Sequence, residues 1–311
     1  MESKKSLRPQ SLLEFIGQEK VKKQLEIFVK AAKERGEAID HLLFYGPPGL
    51  GKTTLAFLIA HEMGSNIKIT SGPALTRAGD VASILTSLKK GDLLFIDEIH
   101  RLNKNVEETL YSAMEDFALD IILGKGPGAK TVRLNLEKFS IIGATTRIGL
   151  LSGPLRDRFG HVQQLDFYDI ESLTEIVQRT ADLYKVKIDK NAAIEIAKRS
   201  RGTPRIANRL LRRIRDYAQV KSDGLIDMKE TREALKMLGV DSLGLNEADR
   251  KYLDIIKKQY NGGPVGIENI AAGLNEDVGT ICEVYEPFLM KCGLVKRTSK
   301  GRVLVSDYSL L

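Results

Sequence analysis

The chain has 311 residues, 42% of them hydrophobic and 29% charged, with a formal net charge of +7. No apolar run reaches the length of a membrane span and no apolar signal segment follows the charged start, so the composition points to a cytoplasmic, non-membrane protein. The two cysteines, Cys282 and Cys292, are too few for a disulfide framework or a cysteine-based metal site. Tryptophan is absent and aromatics make up 6%, which argues against base stacking as the main grip on any nucleic acid, while the positive charge permits a polyanionic partner.

In chain order, a helical pattern at 21–35 precedes an apolar run at 42–45 and then the stretch Gly46-Pro47-Pro48-Gly49-Leu50-Gly51-Lys52-Thr53. This is a full G-x-x-x-x-G-K-[ST] match, and a helical pattern at 53–63 follows it. Strand, phosphate loop and helix in this order form a nucleotide cradle. Gly49 and Gly51 let backbone N–H groups converge on phosphate, and the helix N-terminus adds partial positive charge. Lys52 is placed for the β- and γ-phosphates of ATP and the Thr53 hydroxyl for Mg²⁺.

Strand-like runs recur at 67–70, 93–97 and 139–145, with helical patterns at 81–89 and 106–117 between them. Apolar strands alternating with helices predict an α/β fold with a parallel sheet. The run at 93–97 delivers Asp97 to the metal and, next to it, Glu98 to a water attacking the γ-phosphate. His100, just beyond, reads as a supporting residue. Thr146, at the end of the strand over 139–145, is suited to holding that water or touching the γ-phosphate. Arg156 and Arg158 lie near a loop, either solvated or reaching a phosphate on a neighbouring subunit. The segment 120–136 carries two apolar arms around a Gly-Lys-Gly-Pro-Gly turn.

From residue 169 the strand signal fades into helical patterns at 173–184, 192–201, 205–221 and 228–238, an all-α lid. Gly202-Thr203-Pro204 puts Arg205 in the first turn of the third of these helices. That helix is basic on its surface, read here as solvated or subunit-facing. Residues 241–245 form a connector. Helical patterns at 247–260, 267–272 and 278–292 are followed by a hairpin, 294–298 against 302–305, which together outline a winged helix. The helix over 278–292 carries Glu283 and Glu286, which disfavours its use on phosphates or in a major groove. Lys296, Arg297, Lys300 and Arg302 concentrate positive charge on the hairpin instead and predict sequence-independent phosphate contacts.

Taken together, these motifs resemble AAA+ ATPases. The runs Leu7-Arg8-Pro9, Phe15-Ile16-Gly17-Gln18, Phe95 to Asn103, Gly124-Lys125-Gly126-Pro127, Gly202 to Ala207 and Gly262 to Gly266 resemble the RuvB family, bacterial Holliday-junction branch-migration motors. The resemblance covers essentially the whole chain. It implies three domains: an ATPase domain at 1–166 with a projecting hairpin at about 119–137, a lid at 167–240 and a winged helix at 241–311. It implies that Lys52, Thr53 and Thr54 bind phosphate and Mg²⁺, with Asp97 and Glu98 as the catalytic acids. Thr146 becomes the first sensor, Arg158 a finger inserted into the neighbouring site, and Arg205 the second sensor. Leu7 and Arg8, with Ile16 and Tyr168, are implied around the adenine, and Glu115-Asp116-Phe117 near a nucleotide. Ile121, Ile122, Val132 and Leu134 on the hairpin are implied to contact a RuvA-like partner. The resemblance also implies a hexameric homo-oligomeric ring that grips duplex arms of Holliday junctions in recombination and DNA repair. Clamp loaders, sequence-reading initiators and protein unfoldases share the ATPase core. A basic wing, the acidic helix and the lack of an aromatic at 71–79 argue against each in turn.

Overall fold

The structure, a computed structural model, describes residues 8–123 and 130–305; side chains are described for these except 121–123 and 130. By contact the chain divides into two compact units. One takes Arg8–Gly46 and Gly51–Asp166; the other takes Pro47–Leu50 and the chain from Phe167 onward.

The first unit runs α1 (Glu19–Arg35), β1 (Leu42–Tyr45), α2 (Lys52–Met63), β2 (Ile67–Ser71), α3 (Ala78–Thr86), β3 (Leu93–Asp97) and α4 (Lys104–Glu115). It continues through β4 (Ala118–Leu123), β5 (Lys130–Asn135), β6 (Ser140–Thr145), α5 (Gly153–Asp157) and β7 (His161–Gln164). Five strands form one sheet in the order β2-β3-β6-β1-β7, with every pairing parallel. Leu43, Phe44, Phe95, Ile96, Ile141 and Ile142 are buried on the central strands, as strands covered by helices on both faces require. The parallel register aligns the strands' C-terminal ends, which is where open α/β sheets bind ligands. Asp97 of β3 and Thr145 of β6 lie at those ends.

The edge strand β7 had no counterpart in the sequence reading. Its residues, His161-Val162-Gln163-Gln164, alternate between half-buried and exposed, and it pairs with β1 alone. The antiparallel pair β4 and β5 forms the expected hairpin, with Leu119 opposite Leu134, Ile121 opposite Val132 and Ile122 opposite Thr131. Its connecting turn lies outside the described residues.

The second unit begins with α6 (Ile170–Leu183), α7 (Lys190–Lys198), α8 (Pro204–Lys221) and α9 (Met228–Met237). Its later part holds α10 (Glu247–Asp254), α11 (Ile267–Leu274), α12 (Val278–Thr280), α13 (Glu286–Lys291), β8 (Val295–Thr298) and β9 (Gly301–Leu304). Single π-helical stretches continue α10 over Ile255–Gln259 and join α12 to α13 over Ile281–Tyr285. A bridge between Val265 and Arg302 adds a third strand position to the hairpin, completing the winged-helix outline. Leu245, Tyr252, Ile256, Ile270, Ile281 and Leu289 fill its core. The residues expected as lid and winged helix thus share one compact unit, together with part of the phosphate loop.

Candidate nucleotide and DNA sites

Local chemistry explains the phosphate loop. Gly51 stands at φ 102° directly before α2, and Gly49 at φ 87°, backbone conformations that a side chain strains. A Cβ on Gly49 would also lie 2.9 Å from Cβ of Arg205. The N–H groups of Lys52, Thr53 and Thr54 lie in the first turn of α2, where no acceptor stands one turn back within the helix. The buried Lys52 donates from Nζ to the Gly46 carbonyl at 2.7 Å, which fixes the ammonium over the loop.

Asp97 ends β3, and its Oδ1 accepts the Glu98 N–H at 3.0 Å. Glu98 is a non-glycine residue at φ 47°, a sparsely populated conformation of the kind found at functional sites. Its carboxylate pairs with Arg101 at 2.9 Å. At the end of β6, Thr145 Oγ1 lies 2.9 Å from His100 Nδ1 and accepts the Arg147 N–H at 2.9 Å. This clamp holds the backbone on both sides of Thr146. His100, expected as a supporting residue, thus touches Thr145, the neighbour of the expected Thr146.

Arg158 ends α5. Its Nη1 donates to the Pro154 carbonyl and its Nη2 to Glu115 Oε2, each at 2.8 Å. The guanidinium also lies 4.6 Å from the centre of the Tyr111 ring. Glu115 therefore sits with the predicted finger. Asp116 pairs with Arg133 at 2.6 Å, and Phe117, at φ 51°, accepts the Leu136 N–H at 2.7 Å, so the run Glu115 to Phe117 braces both Arg158 and the hairpin. On that hairpin Val132 and Leu134 are 46% and 39% exposed. The side chains of Ile121 and Ile122 lie outside those described.

Arg8 stacks its guanidinium 4.8 Å from the centre of the Phe57 ring of α2. Ile16 is half-buried, and Gln18 next to it brackets Asp166 through Nε2 to the carbonyl at 2.6 Å and Oε1 from the N–H at 3.3 Å. Leu7 lies outside the described residues. The buried Tyr168 donates its hydroxyl to the Leu50 carbonyl at 3.1 Å, and its N–H to Gly202 at 2.9 Å. Thr203 caps α8 and Pro204 opens it, an arrangement that fixes the first turn. Arg205 follows, exposed, with its N–H 3.4 Å from the Gly49 carbonyl. Within this unit the loop segment Pro47–Leu50, Tyr168 and Arg205, the arginine expected as second sensor, are brought together.

The wing corrects one expectation. Glu286 is not an acid facing phosphate; it is fully buried and accepts from Arg297 Nε and Arg302 Nε, both at 2.8 Å. Tyr252 donates its hydroxyl to the same carboxylate at 2.9 Å. The case against this helix facing DNA therefore rests on Glu283 alone. Lys296 and Lys300 are exposed on the hairpin, whereas Arg302 is only 17% exposed along its side chain.

A phosphate loop on this parallel sheet, an acid pair ending β3, a helical lid and a winged helix define an AAA+ P-loop ATPase carrying a winged-helix module. Comparison with known proteins narrows the class. Residues 7–165 match the Holliday junction DNA helicase RuvB P-loop domain, 168–241 the RuvB AAA lid domain and 242–307 the RuvB C-terminal winged helix domain. The chain belongs to the RuvB family. It is 60% identical over 302 residues to the Holliday junction branch migration complex subunit RuvB of Clostridium kluyveri, covering 97% of this chain and 86% of that protein. The solved Thermotoga maritima RuvB Holliday junction branch migration motor superposes with a TM-score of 0.90 at 52% identity, covering 97% of this chain and 96% of that one. The FIGL-1 AAA domain in complex with ADP, at 16% identity and a TM-score of 0.58, shares the fold.

Proposed function

We propose that the chain is the ATP-driven motor of a Holliday-junction branch-migration complex, moving duplex arms during recombination and DNA repair in the bacterial cytoplasm. The observation that carries this reading is that one chain matches the RuvB P-loop, lid and winged-helix domains in succession over residues 7–307.

ATP takes the loop from Gly49 to Thr54, with Lys52 on the β- and γ-phosphates. Arg8, Ile16 and Tyr168 flank the base. A hydroxyl from Thr53 and a carboxylate from Asp97 are hard oxygen donors that fit Mg²⁺, which keeps waters and phosphate oxygens as its other ligands. No cluster of three or more His, Cys, Asp or Glu suited to a metal occurs among the described residues. Bound Mg²⁺ would neutralise charge on the phosphates. Glu98 orients and polarises the attacking water, and Thr146 steadies it against the γ-phosphate. Arg205 reads the nucleotide from the lid.

Arg158 acts on the nucleotide of the next subunit in a hexameric ring, accompanied by the run Glu115 to Phe117. A finger of this kind is worth roughly 10³–10⁵ in rate. Val132 and Leu134 dock on a RuvA-like protein, and the wing contacts phosphates through Lys296, Arg297, Lys300 and Arg302. Branch migration exchanges base pairs for similar ones, so ATP supplies direction rather than net melting.

The test is dissociation of a synthetic four-way junction with and without RuvA. ATP-dependent dissociation stimulated by RuvA is expected. An ATPase that binds duplex and shows no RuvA-dependent junction movement would sink the reading.

A further inference from the structure

We propose that Arg201 is a positioning residue that fixes the winged helix to the lid, so that the nucleotide-sensing segment and the DNA wing turn as one body. This rests on the motor reading above.

Arg201 follows α7 at φ 56°, a conformation uncommon for a side chain of its size, and directly precedes Gly202-Thr203-Pro204-Arg205. Its side chain is 7% exposed. Nη1 and Nη2 form a two-pronged bond with Asp249 of α10, at 3.0 and 3.1 Å. Nη2 also reaches the Val284 carbonyl at 3.3 Å. The guanidinium lies 4.5 Å from the centre of the Phe288 ring of α13. One lid side chain thus touches α10, the π-helical stretch before α13 and α13 itself, and contacts to three elements fix an angle as well as a distance.

Both ends of this joint are tied down. On the lid side, Thr203 and Pro204 set the start of α8, where the Arg205 N–H meets Gly49 of the phosphate loop. On the wing side, Asp249 has no exposed surface; it accepts the Asn246 N–H at 2.9 Å, and its own N–H goes to Asn246 Oδ1 at 3.0 Å. Two residues before Phe288 on α13 stands Glu286, the carboxylate holding Arg297 and Arg302. Lys291, at the end of α13, lies 4.5 Å from the Phe167 ring centre at the start of the lid and gives a second, weaker tie.

Stability alone does not account for the pair. Burial pushes the Asp249 carboxyl above its usual range, and Arg201 only partly draws it back. Buried ion pairs are often matched in stability by well-packed apolar residues. What a planar guanidinium adds is orientation.

The test compares Arg201→Met and Arg201→Lys with the unsubstituted chain. Nucleotide binding, duplex binding, ring formation and basal ATPase are measured beside two coupled readouts. These are ATP hydrolysed per junction dissociated with RuvA, and stimulation of ATPase by plain duplex, which needs no RuvA. For Arg201→Met the uncoupled readouts should stay within about twofold, while ATP per junction rises about tenfold and duplex stimulation falls by a similar factor. Arg201→Lys, which keeps the charge and loses the fork, should fall between. If Arg201→Met does not fold, the double variant Arg201→Met/Asp249→Leu, with both charges removed, is measured in the same way. Unchanged coupling in a folded variant, or equal loss in every readout, overturns the proposal. If the unsubstituted chain fails to move junctions, the motor reading is what fails, and duplex stimulation still tests the joint.

Discussion

Arg297 and Arg302 are directly paired across the wing, which sets two like charges side by side. Glu286 resolves the repulsion from below. Burial opposes its charge, but Arg302 and Arg297 more than offset this and hold the carboxyl below its usual value of 4.5. Since the folded value is the lower one, the contribution is complete above about pH 4.5 and is lost as pH falls through the folded value. If the wing contacts DNA as proposed, Glu286 competes with phosphate for both arginines. Glu286→Gln should therefore bind duplex more tightly and steepen the salt dependence by about one phosphate contact, a slope change near 0.9. It should also lose about 3 kcal/mol of stability at neutral pH, where buried charges are left unpaired. Fluorescence anisotropy across a salt series and urea unfolding read the two effects. An unchanged salt slope in the folded variant would mean that Glu286 does not restrain the arginines.

Between elements, His41 links the entry to β1 with both α4 and β6. Its Nδ1 accepts the Ile141 N–H at 2.8 Å, so the ring proton belongs on Nε2, which donates to the Met114 carbonyl at 3.1 Å. Burial holds its pKa below the usual 6.5, and the Met114 carbonyl counters this only in part. A lowered histidine contributes stability that is complete above the unfolded value and lost as pH falls through the folded one. Unfolding free energy should decline from about pH 6.5 downward, by at most about 1.4 kcal/mol per pH unit from this group. His41→Asn, which keeps an acceptor for Ile141, should lack that component of the slope; urea titrations at pH 7.5 and 5.5 make the comparison. An equal pH slope in both proteins would assign the effect elsewhere. None of this was visible in the sequence, where His41 is one residue before an apolar run. The strands β1, β3 and β6 were legible because full burial demands continuous apolar residues, and the phosphate loop because its geometry is local. The strand β7 was not, since a half-exposed edge tolerates Gln163 and Gln164. Nor was the burial of Glu286, because its partners come from the register of a hairpin 11 and 16 residues further on. The Arg158–Glu115 pair, 43 residues apart, was hidden for the same reason.

At the scale of the whole molecule, the question is whether one chain completes an active site. Lys52 opens α2, Asp97 ends β3 with Glu98 directly after it, and Thr146 directly follows β6, while Arg158, at the end of α5, is held by Glu115 and Tyr111. A ring built from repeated head-to-tail contacts would bring that arginine to the next subunit's phosphates. The consequence is arithmetic. Glu98→Gln lacks the acid and Arg158→Ala lacks the finger, so rings of either variant alone should be nearly inactive. In an equal, random mixture, a site is complete when an Arg158→Ala chain provides Glu98 and the adjacent Glu98→Gln chain provides Arg158. That occurs with probability one half times one half, so about a quarter of sites should recover hydrolysis, given an independent contribution from each site. Steady-state ATPase as a function of mixing ratio should peak near equal proportions. If mixed rings form, shown by co-purification of differently tagged chains, and hydrolysis stays at the level of the separate variants, Arg158 serves its own chain and the shared-site mechanism fails.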